Sequence, residues 1–277
     1  MADITISSAI RSNLLSLQGT SDLMAQTRSR LSSGKRVASA VDDPVAYFQA
    51  KSLTDRASDL KSVKDNITQG VKTLETAVKA LEGAEKLIKQ MKGLAISAQA
   101  ESDSTKRGKL ADQFDDLKDQ LDDLVRDAQY QGVNLIDASN TFTQELKVTL
   151  NEDTTNVSEI SISAKSSTSA GLSITAAANG WAATADAEGD VDTINEALVT
   201  LRENMQELGN NLAFLKVREE FTATLVNNLD DGASKLVEAD MNAEAANMLT
   251  LQTRQQMGTN ALSMANQAEQ SILQLFR

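Results

Sequence analysis

The sequence predicts a mainly α-helical fold: a long antiparallel helical rod or coiled-coil bundle with a small β-hairpin region in the middle of the chain. Apolar residues recur at alternating steps of three and four over very long stretches, and only one proline occurs in 277 residues. Aromatic residues make up only 3% of the chain, so Leu, Val, Ile, Met and Ala must do most of the packing. Such a composition suits narrow helical bundles better than a broad globular core.

The first predicted element is an N-terminal helix with one apolar face. Between Ile4 and Ser21 its only charged residue is Arg11, and its remaining surface is Ser, Asn, Gln and Thr. A solvated helix normally carries a charged face, so this helix is expected to pack against another protein surface. Its apolar stripe consists of Ile10, Leu14, Leu17, Met24 and Leu31.

A break in the helix is predicted within RLSSGKRVASAVDDPVAYF, residues 30–48. Gly34 stands where the first helix needs a left-handed C-terminal residue. Asp43 is expected to cap the next helix, and Pro44 takes its first position, where a missing N–H has no effect on helical hydrogen bonding. We interpret this stretch as a joint between two segments with different roles. The predicted joint residues are Gly34, Asp42, Asp43 and Pro44.

Three long helices are predicted after the joint. Heptad spacing runs from Leu60 to Ala98, then from Leu110 to Ala128, and finally from Val191 to Leu236 without any proline. A helix of about 45 residues at roughly 1.5 Å each is on the order of 65 Å long, far beyond an average globular helix.

The period changes between the second and third of these helices. In TFTQELKVTL (141–150) and SEISISAK (158–165) apolar and polar residues alternate, which predicts a half-buried β-hairpin. Ser166–Gly189 is rich in Ser, Ala, Thr and Gly and is expected to be exposed, with LSI as its only strand candidate. Exposure would also leave Ser158–Ser169 open to Ser/Thr modification.

The C-terminal helix is as poor in charge as the first one. Between Met241 and Phe276 the only charged residues are Glu244, Arg254 and Glu269. Either both terminal helices simply pack on their own bundle, or they are loose in the monomer and fold when neighbouring copies add buried surface. Charge depletion allows identical acidic chains to pack closely, and a head-to-tail contact then produces a helical filament.

Composition excludes several classes of function. The chain has no Cys and no His, which rules out disulfides, thiol nucleophiles, Cys/His zinc sites and Ser-His triads. A net charge of −12 argues against nucleic-acid and anionic-membrane partners. We therefore expect no cofactor, no metal and no catalysis. No signal peptide or membrane-spanning run is visible, so composition alone favours the cytoplasm.

One acidic run is a candidate cation-binding site. In ADQFDDLKDQLDDLVRDAQ four carboxylates lie near one helical face. A cation site is conceivable, but no glycine-containing liganding loop accompanies them, so a solvated face is favoured. These carboxylates are Asp112, Asp116, Asp119 and Asp123.

Several motifs together resemble those of bacterial flagellins. RLSSGKRVASAVDDPVAYFQA resembles the N-terminal flagellin signature, MLTLQTRQQMGTNALSMANQAEQSILQLFR resembles the C-terminus, and YQGVNLID resembles the segment ending the second helix. The resemblance implies five segments. They are an inner-tube helix (1–40), the N-terminal helices of an outer rod (41–140), a β-hairpin with a short variable part (141–190), a long rod helix (191–236) and a second inner-tube helix (237–277).

The resemblance also implies a function: a subunit that polymerises head-to-tail into the extracellular flagellar filament used for motility. It implies type III export without a cleaved signal, which overturns the cytoplasmic inference. The implied partners are further copies of the chain, hook-associated, junction and cap proteins, and an export chaperone at the C-terminal helix. A flagellin-like hook-filament junction protein is the alternative. On this basis the polymerisation interface is assigned to Ile10, Leu14, Leu17, Met24, Leu31, Leu249, Met257, Leu262, Met264, Ile272, Leu273 and Phe276.

One departure from the family pattern concerns innate recognition. Many flagellins present an Arg and a Glu to the vertebrate Toll-like flagellin receptor just before Leu-Ala-Val or Leu-Ala-Ile. In LIKQMKGLAISAQA the matching positions before Leu94 are Gln90 and Gly93. We therefore expect this chain to be poorly sensed by that receptor.

Overall fold

The structure, a computed structural model, describes residues 8–138, 145–153 and 155–275. It confirms a mainly α fold with a small antiparallel hairpin in the middle of the chain. Two compact units are present: a terminal unit, Met1–Asp55 with Asn228–Arg277, and a central unit, Arg56–Asn227. In the described part of the chain the regular elements are α1 (Ser8–Ser33), α2 (Pro44–Ala100), α3 (Ser104–Asp127), β1 (Glu145–Thr149), β2 (Glu159–Ser163), α4 (Thr184–Val237) and α5 (Met241–Leu275).

Heptad positions form the core of the central unit. Residues spaced by seven along α2 and α4 are completely buried, and Phe114 and Leu121 continue the pattern on α3. This spacing keeps one apolar seam of each helix facing its neighbours, as the sequence pattern predicts. The fully buried heptad series are Ile67, Leu74, Leu81 and Ile88 on α2, and Ile194, Leu201, Leu208 and Leu215 on α4.

The hairpin packs its apolar face onto the helices. Leu146 pairs with Ile162 and Val148 with Ile160 in an antiparallel register. Val148 is buried directly over Gly70 of α2, where an added Cβ would lie 2.6 Å from Val148 Cγ2. Glycine is thus required at position 70 because the hairpin approaches the helix backbone closely. The predicted first strand began at residue 141, and residues 139–144 lie outside the described residues.

The expectation that Ser166–Gly189 is exposed is wrong. Leu172, Ile174 and Trp181 are buried, LSI forms a turn rather than a strand, and α4 already begins at Thr184. The ring of Trp181 packs against that of Phe114 at a centroid distance of 5.2 Å. The segment has the composition of a loop, but this aromatic pair packs it against α3.

Carboxylates of α3 and α4 hold this segment by its polar groups. Asp122 accepts hydrogen bonds from the backbone N–H and the hydroxyl of Ser169, both at 2.6 Å. Asp115 accepts from the N–H of Ala177 at 2.8 Å, and Asp190 from the indole N–H of Trp181 at 2.6 Å. Buried backbone and indole donors need such partners.

Burial of this segment also limits the Ser/Thr modification expected there. Ser158 and Ser161 are exposed, whereas Ser167 and Ser169 are buried. The sequence predicts that the four carboxylates of the acidic run lie on a solvated helix face. This prediction is confirmed, because all four are exposed: Asp112, Asp116, Asp119 and Asp123.

Candidate assembly surfaces

The terminal helices α1 and α5 pack against each other. Ile10 and Met24 from α1 and Leu251 from α5 are buried. A Cβ on Gly258 would lie 2.7 Å from Leu17 Cδ2, so Leu17 sits directly over the backbone of α5 at this glycine. Gly258 therefore permits the close approach of the two helices, a role that the period of the apolar residues alone does not reveal.

An ion pair closes one end of the α1/α5 pair. Arg30 Nη1 lies 3.1 Å from Glu244 Oε1, and Glu244 is buried in the first turn of α5. The positive end of the helix dipole favours a carboxylate at this position. The second carboxylate oxygen of Glu244 has no hydrogen-bond partner among the described residues.

Packing of α1 on α5 leaves many large apolar side chains uncovered. Leu249 is 67% exposed and Met264 64% exposed, although large apolar side chains of this kind are usually buried in folded proteins. These uncovered side chains are the feature of the terminal unit that calls for a partner surface. The exposed set is Leu14, Leu15 and Leu23 on α1 and Met241, Leu249, Met257 and Met264 on α5.

The predicted polymerisation residues thus divide into groups by their surroundings. Leu14, Leu249, Met257 and Met264 are exposed; Leu17, Leu31 and Leu262 are half-buried; Ile10 and Met24 are buried inside the chain's own helix pair. Ile272 and Leu273 belong to α5, but their side chains, like Phe276, lie outside the described residues.

The local chemistry predicted for the joint is present in the structure. Gly34 adopts φ +69° and donates its N–H to Arg30 O at 2.8 Å, as a left-handed helix end requires. Asp43 Oδ1 accepts from the N–H of Ala46 at 3.1 Å, and Pro44 is the first residue of α2. Asp42 Oδ2 accepts hydrogen bonds from the N–H groups of Ser39 and Ala38, which lower the pKa of Asp42.

A second chain segment completes the joint, and the sequence pattern does not predict this pairing. Arg36 donates its N–H to Val237 O at 2.7 Å, and Ala239 donates to Gly34 O at 2.9 Å. Asp240 then caps α5 through its Oδ1, which lies 2.9 Å from the N–H of Asn242. An Asp immediately before a helix is the available sequence signal. The connections before α2 and before α5 are therefore one hydrogen-bonded unit.

The residues assigned to innate recognition lie together in the central unit. Gln90 and Gly93 are exposed and Leu94 is half-buried along a groove between α2 and α3. Apart from the adjoining residues and the local helix backbone, no heavy atom lies within 4 Å of the position that a Cβ on Gly93 would take. The opposite wall consists of Gln113, Asp116, Leu117 and Gln120.

Long heptad-packed helices joined by hydrogen-bonded turns place the chain in the class of helical-bundle proteins. Comparison with known proteins gives the family. Residues 5–141 match the model of the bacterial flagellin N-terminal helical region, and residues 191–276 match the bacterial flagellin C-terminal helical region. Together these matches cover most of the chain, which therefore belongs to the bacterial flagellin family.

Individual relatives agree with this assignment. Flagellin FljK of Caulobacter vibrioides is 34% identical over 95% of this chain and 94% of its own length. The flagellin of Brucella melitensis is 28% identical over the full length of both chains. A putative flagellar hook-associated protein from Vibrio parahaemolyticus shares the fold with a TM-score of 0.55 at 14% identity, covering 71% of this chain and 100% of that structure.

Family membership makes this chain a structural protein of the extracellular flagellar filament, which serves motility. The flagellin family is a family of structural proteins and not of enzymes. None of the described helices is long and apolar enough to cross a membrane.

Proposed function

We propose that this chain polymerises head-to-tail into the flagellar filament and that its terminal helices drive the assembly. The observation that carries this proposal is the exposed apolar set on the charge-poor α1/α5 pair, which includes Leu249 and Met264. Large apolar side chains left exposed on two packed helices indicate a protein interface. A contact between different patches on identical chains repeats from copy to copy, and it builds a helical filament when the rotation does not close into a ring.

The remaining predicted features fit this proposal. We propose the same five segments for the filament subunit: 1–40, 41–140, 141–190, 191–236 and 237–277. Export is proposed to occur in the unfolded state through the flagellar type III channel, with a chaperone on the C-terminal helix and with hook-associated, junction and cap proteins at the filament ends. Loose terminal helices would suit passage through a narrow channel.

Electron microscopy of purified monomer, seeded with filament fragments, tests the assembly proposal. The full chain is expected to grow long tubes, whereas a version trimmed to Val41–Leu236 stays monomeric. Met257→Glu places a charge on the exposed face of α5 and is expected to raise the critical concentration strongly. Val157→Glu is the matched control, because Val157 is also exposed but lies in the hairpin loop. Equal polymerisation of all four proteins would contradict the proposal.

The same experiment separates the junction-protein alternative. A junction protein shares the helical ends but stops at rings, so a product that ends at rings under seeding would favour it. The likeness to the Vibrio hook-associated protein concerns the fold alone.

We further propose that the vertebrate Toll-like flagellin receptor senses this chain poorly, because Gln90 and Gly93 replace the Arg and Glu of many flagellins. The double variant Gln90→Arg/Gly93→Glu tests this in a cell-reporter assay, since both positions are exposed. Activation is expected to rise well above that of the unmodified chain. Full activation by the unmodified chain would contradict the proposal. Gln113→Arg, across the same groove, is the control for added positive charge.

A further inference from the structure

Three of the chain's six phenylalanines lie on the surface and outside the terminal helices α1 and α5. Phe48, Phe214 and Phe221 are 62%, 45% and 53% exposed, whereas Phe114 is buried. The other two, Phe142 and Phe276, are not among the residues whose surroundings are described. Large aromatic side chains contribute most when buried, so their exposure outside the terminal helices points to additional interfaces.

The exposed phenylalanines belong to two separate patches. The α4 patch is Phe214, Val217 and Phe221, which share one face of α4 because they are three and four residues apart. The joint patch is Val41, Val45 and Phe48, on the turn before α2 and on its first turn, and Val41 is 92% exposed.

A positive charge lies within the α4 patch. The Arg218 guanidinium stands 5.4 Å from the centre of the Phe221 ring and donates from Nη2 to Leu150 O at 2.9 Å. Its Nε is buried without a hydrogen-bond partner in the described part of the chain. No carboxylate of the described residues lies within ion-pair distance of Arg218.

A negative charge lies within the joint patch. Asp42 stands between Val41 and Val45 in sequence and is exposed. Its Oδ2 accepts hydrogen bonds from the Ala38 and Ser39 backbone, and no described cation lies within ion-pair distance of it. The two patches are thus similar in apolar content and contain charges of opposite sign, Arg218 and Asp42, although the exposed Glu220 also flanks Phe221.

We propose that the joint patch of one copy docks on the α4 patch of a second copy. Identical chains supply both patches in equal number, and Arg218 of the α4 patch is opposite in charge to Asp42 of the joint patch, which favours a second copy over an unrelated partner. The contact joins two different surfaces, so it repeats from copy to copy and extends a filament when the rotation does not close into a ring. This inference rests on the proposed polymerisation and adds to it a contact outside the α1/α5 pair.

Cysteine crosslinking tests the contact directly, because the chain contains no cysteine of its own. Val45→Cys and Val217→Cys alter side chains that are 66% and 65% exposed, so folding should be unaffected. The two single variants are copolymerised in equal amounts and treated with a short bis-maleimide crosslinker. A crosslinked dimer is expected on a denaturing gel, and the double variant is expected to give a ladder of multimers. Val199→Cys with Val45→Cys is the matched control, since Val199 is exposed on α4 outside the patch.

Charge substitutions give a second, independent readout. In the proposed contact, Val217 faces the joint patch of the second copy, which carries Asp42. Val217→Lys is therefore expected to polymerise better than Val217→Asp. Val45 faces the α4 patch, which carries Arg218, so Val45→Asp is expected to polymerise better than Val45→Lys. A several-fold difference in critical concentration in each case, with no difference between Val199→Lys and Val199→Asp, supports the proposal.

The outcomes separate this contact from polymerisation itself. Normal filaments whose 45/217 pair crosslinks no more than the 45/199 pair would overturn the docking proposal and leave the assembly proposal standing. Failure of the unmodified chain to form filaments would overturn both.

Discussion

Replacing Gly70 by alanine tests how the hairpin is seated on the helices. The added Cβ would lie 2.6 Å from Val148 Cγ2 and 3.3 Å from Leu215 Cδ1. Carbon atoms in protein cores pack at about 3.5–4.0 Å, so the new methyl group overlaps Val148 by about 1 Å. Val148 is buried in β1 and is held in register opposite Ile160, so the hairpin must shift to accommodate it.

The expected magnitude follows from two opposing terms. Overpacking a well-packed core costs about 1–3 kcal/mol. Alanine in place of glycine inside a helix returns about 0.5–1 kcal/mol. Gly70→Ala is therefore expected to lower the free energy of unfolding by up to about 2.5 kcal/mol, and by about 1 kcal/mol for the middle of both ranges. Gly93→Ala, in the same helix with no heavy atom within 4 Å of the new Cβ, should raise it by about 0.5–1 kcal/mol.

Thermal unfolding followed by circular dichroism measures both effects. For a domain of this size 1 kcal/mol corresponds to about 2–4 °C in Tm. Gly70→Ala should lower Tm by a few degrees and Gly93→Ala should raise it. Adding Gly70→Ala to Val148→Ala should cost nothing further, because the truncated side chain no longer clashes. If Gly70→Ala stabilises the chain as much as Gly93→Ala does, the close seating of the hairpin is refuted.

Three further predictions concern single interactions. Gly34→Ala must hold a side chain at φ +69°, which costs about 1–2 kcal/mol, and should speed amide hydrogen exchange in α1. Asp190→Asn weakens the acceptor of the Trp181 indole and should lower stability by about 2 kcal/mol and red-shift the emission of this only tryptophan. Lys216 and Lys72 lower the pKa of Glu75 from 4.5 to about 2, so its stabilising effect is present above pH 4.5 and is lost as pH falls toward 2. Glu75→Gln should flatten the stability profile in that range in acid titration by circular dichroism.

The helices could be predicted because their signals are local. Seven-residue spacing in α2 and α4 places Ile67 and Ile194 in fully buried series, and the helix end at Gly34 depends on one residue's conformational freedom. In Ser166–Gly189 the prediction failed because long-range contacts override composition there. Its burial depends on Trp181 meeting Phe114, 67 positions earlier in the chain, and periodicity cannot reveal such a pairing.

The sequence could identify the helices that carry the assembly surfaces but not the faces of those helices that stay exposed. Some residues of an apolar stripe are covered by the other terminal helix of the same chain, and the stripe does not show which ones. Met24 is buried against the chain's own structure, whereas Leu14 in the same stripe remains exposed. The exposed valines and phenylalanines of the α4 and joint patches also recur at steps of three and four, so their spacing does not distinguish them from core residues. Their meaning depends on which side of the helix the core occupies, which only the tertiary structure gives.

Charge placement explains how a chain with net charge −12 can tolerate close copies of itself. In the central unit, several carboxylates are neutralised locally. Glu75 lies between Lys72 and Lys216, at 3.0 and 2.8 Å, and Glu85 likewise contacts both Lys89 and Arg202. The exposed aspartates of α3 keep negative charge on that unit, whereas charge is nearly absent from the terminal helices. Like charges brought together in a poorly solvated contact repel strongly. Introduced carboxylates should therefore inhibit assembly most where charge is naturally absent, on the exposed face of α5.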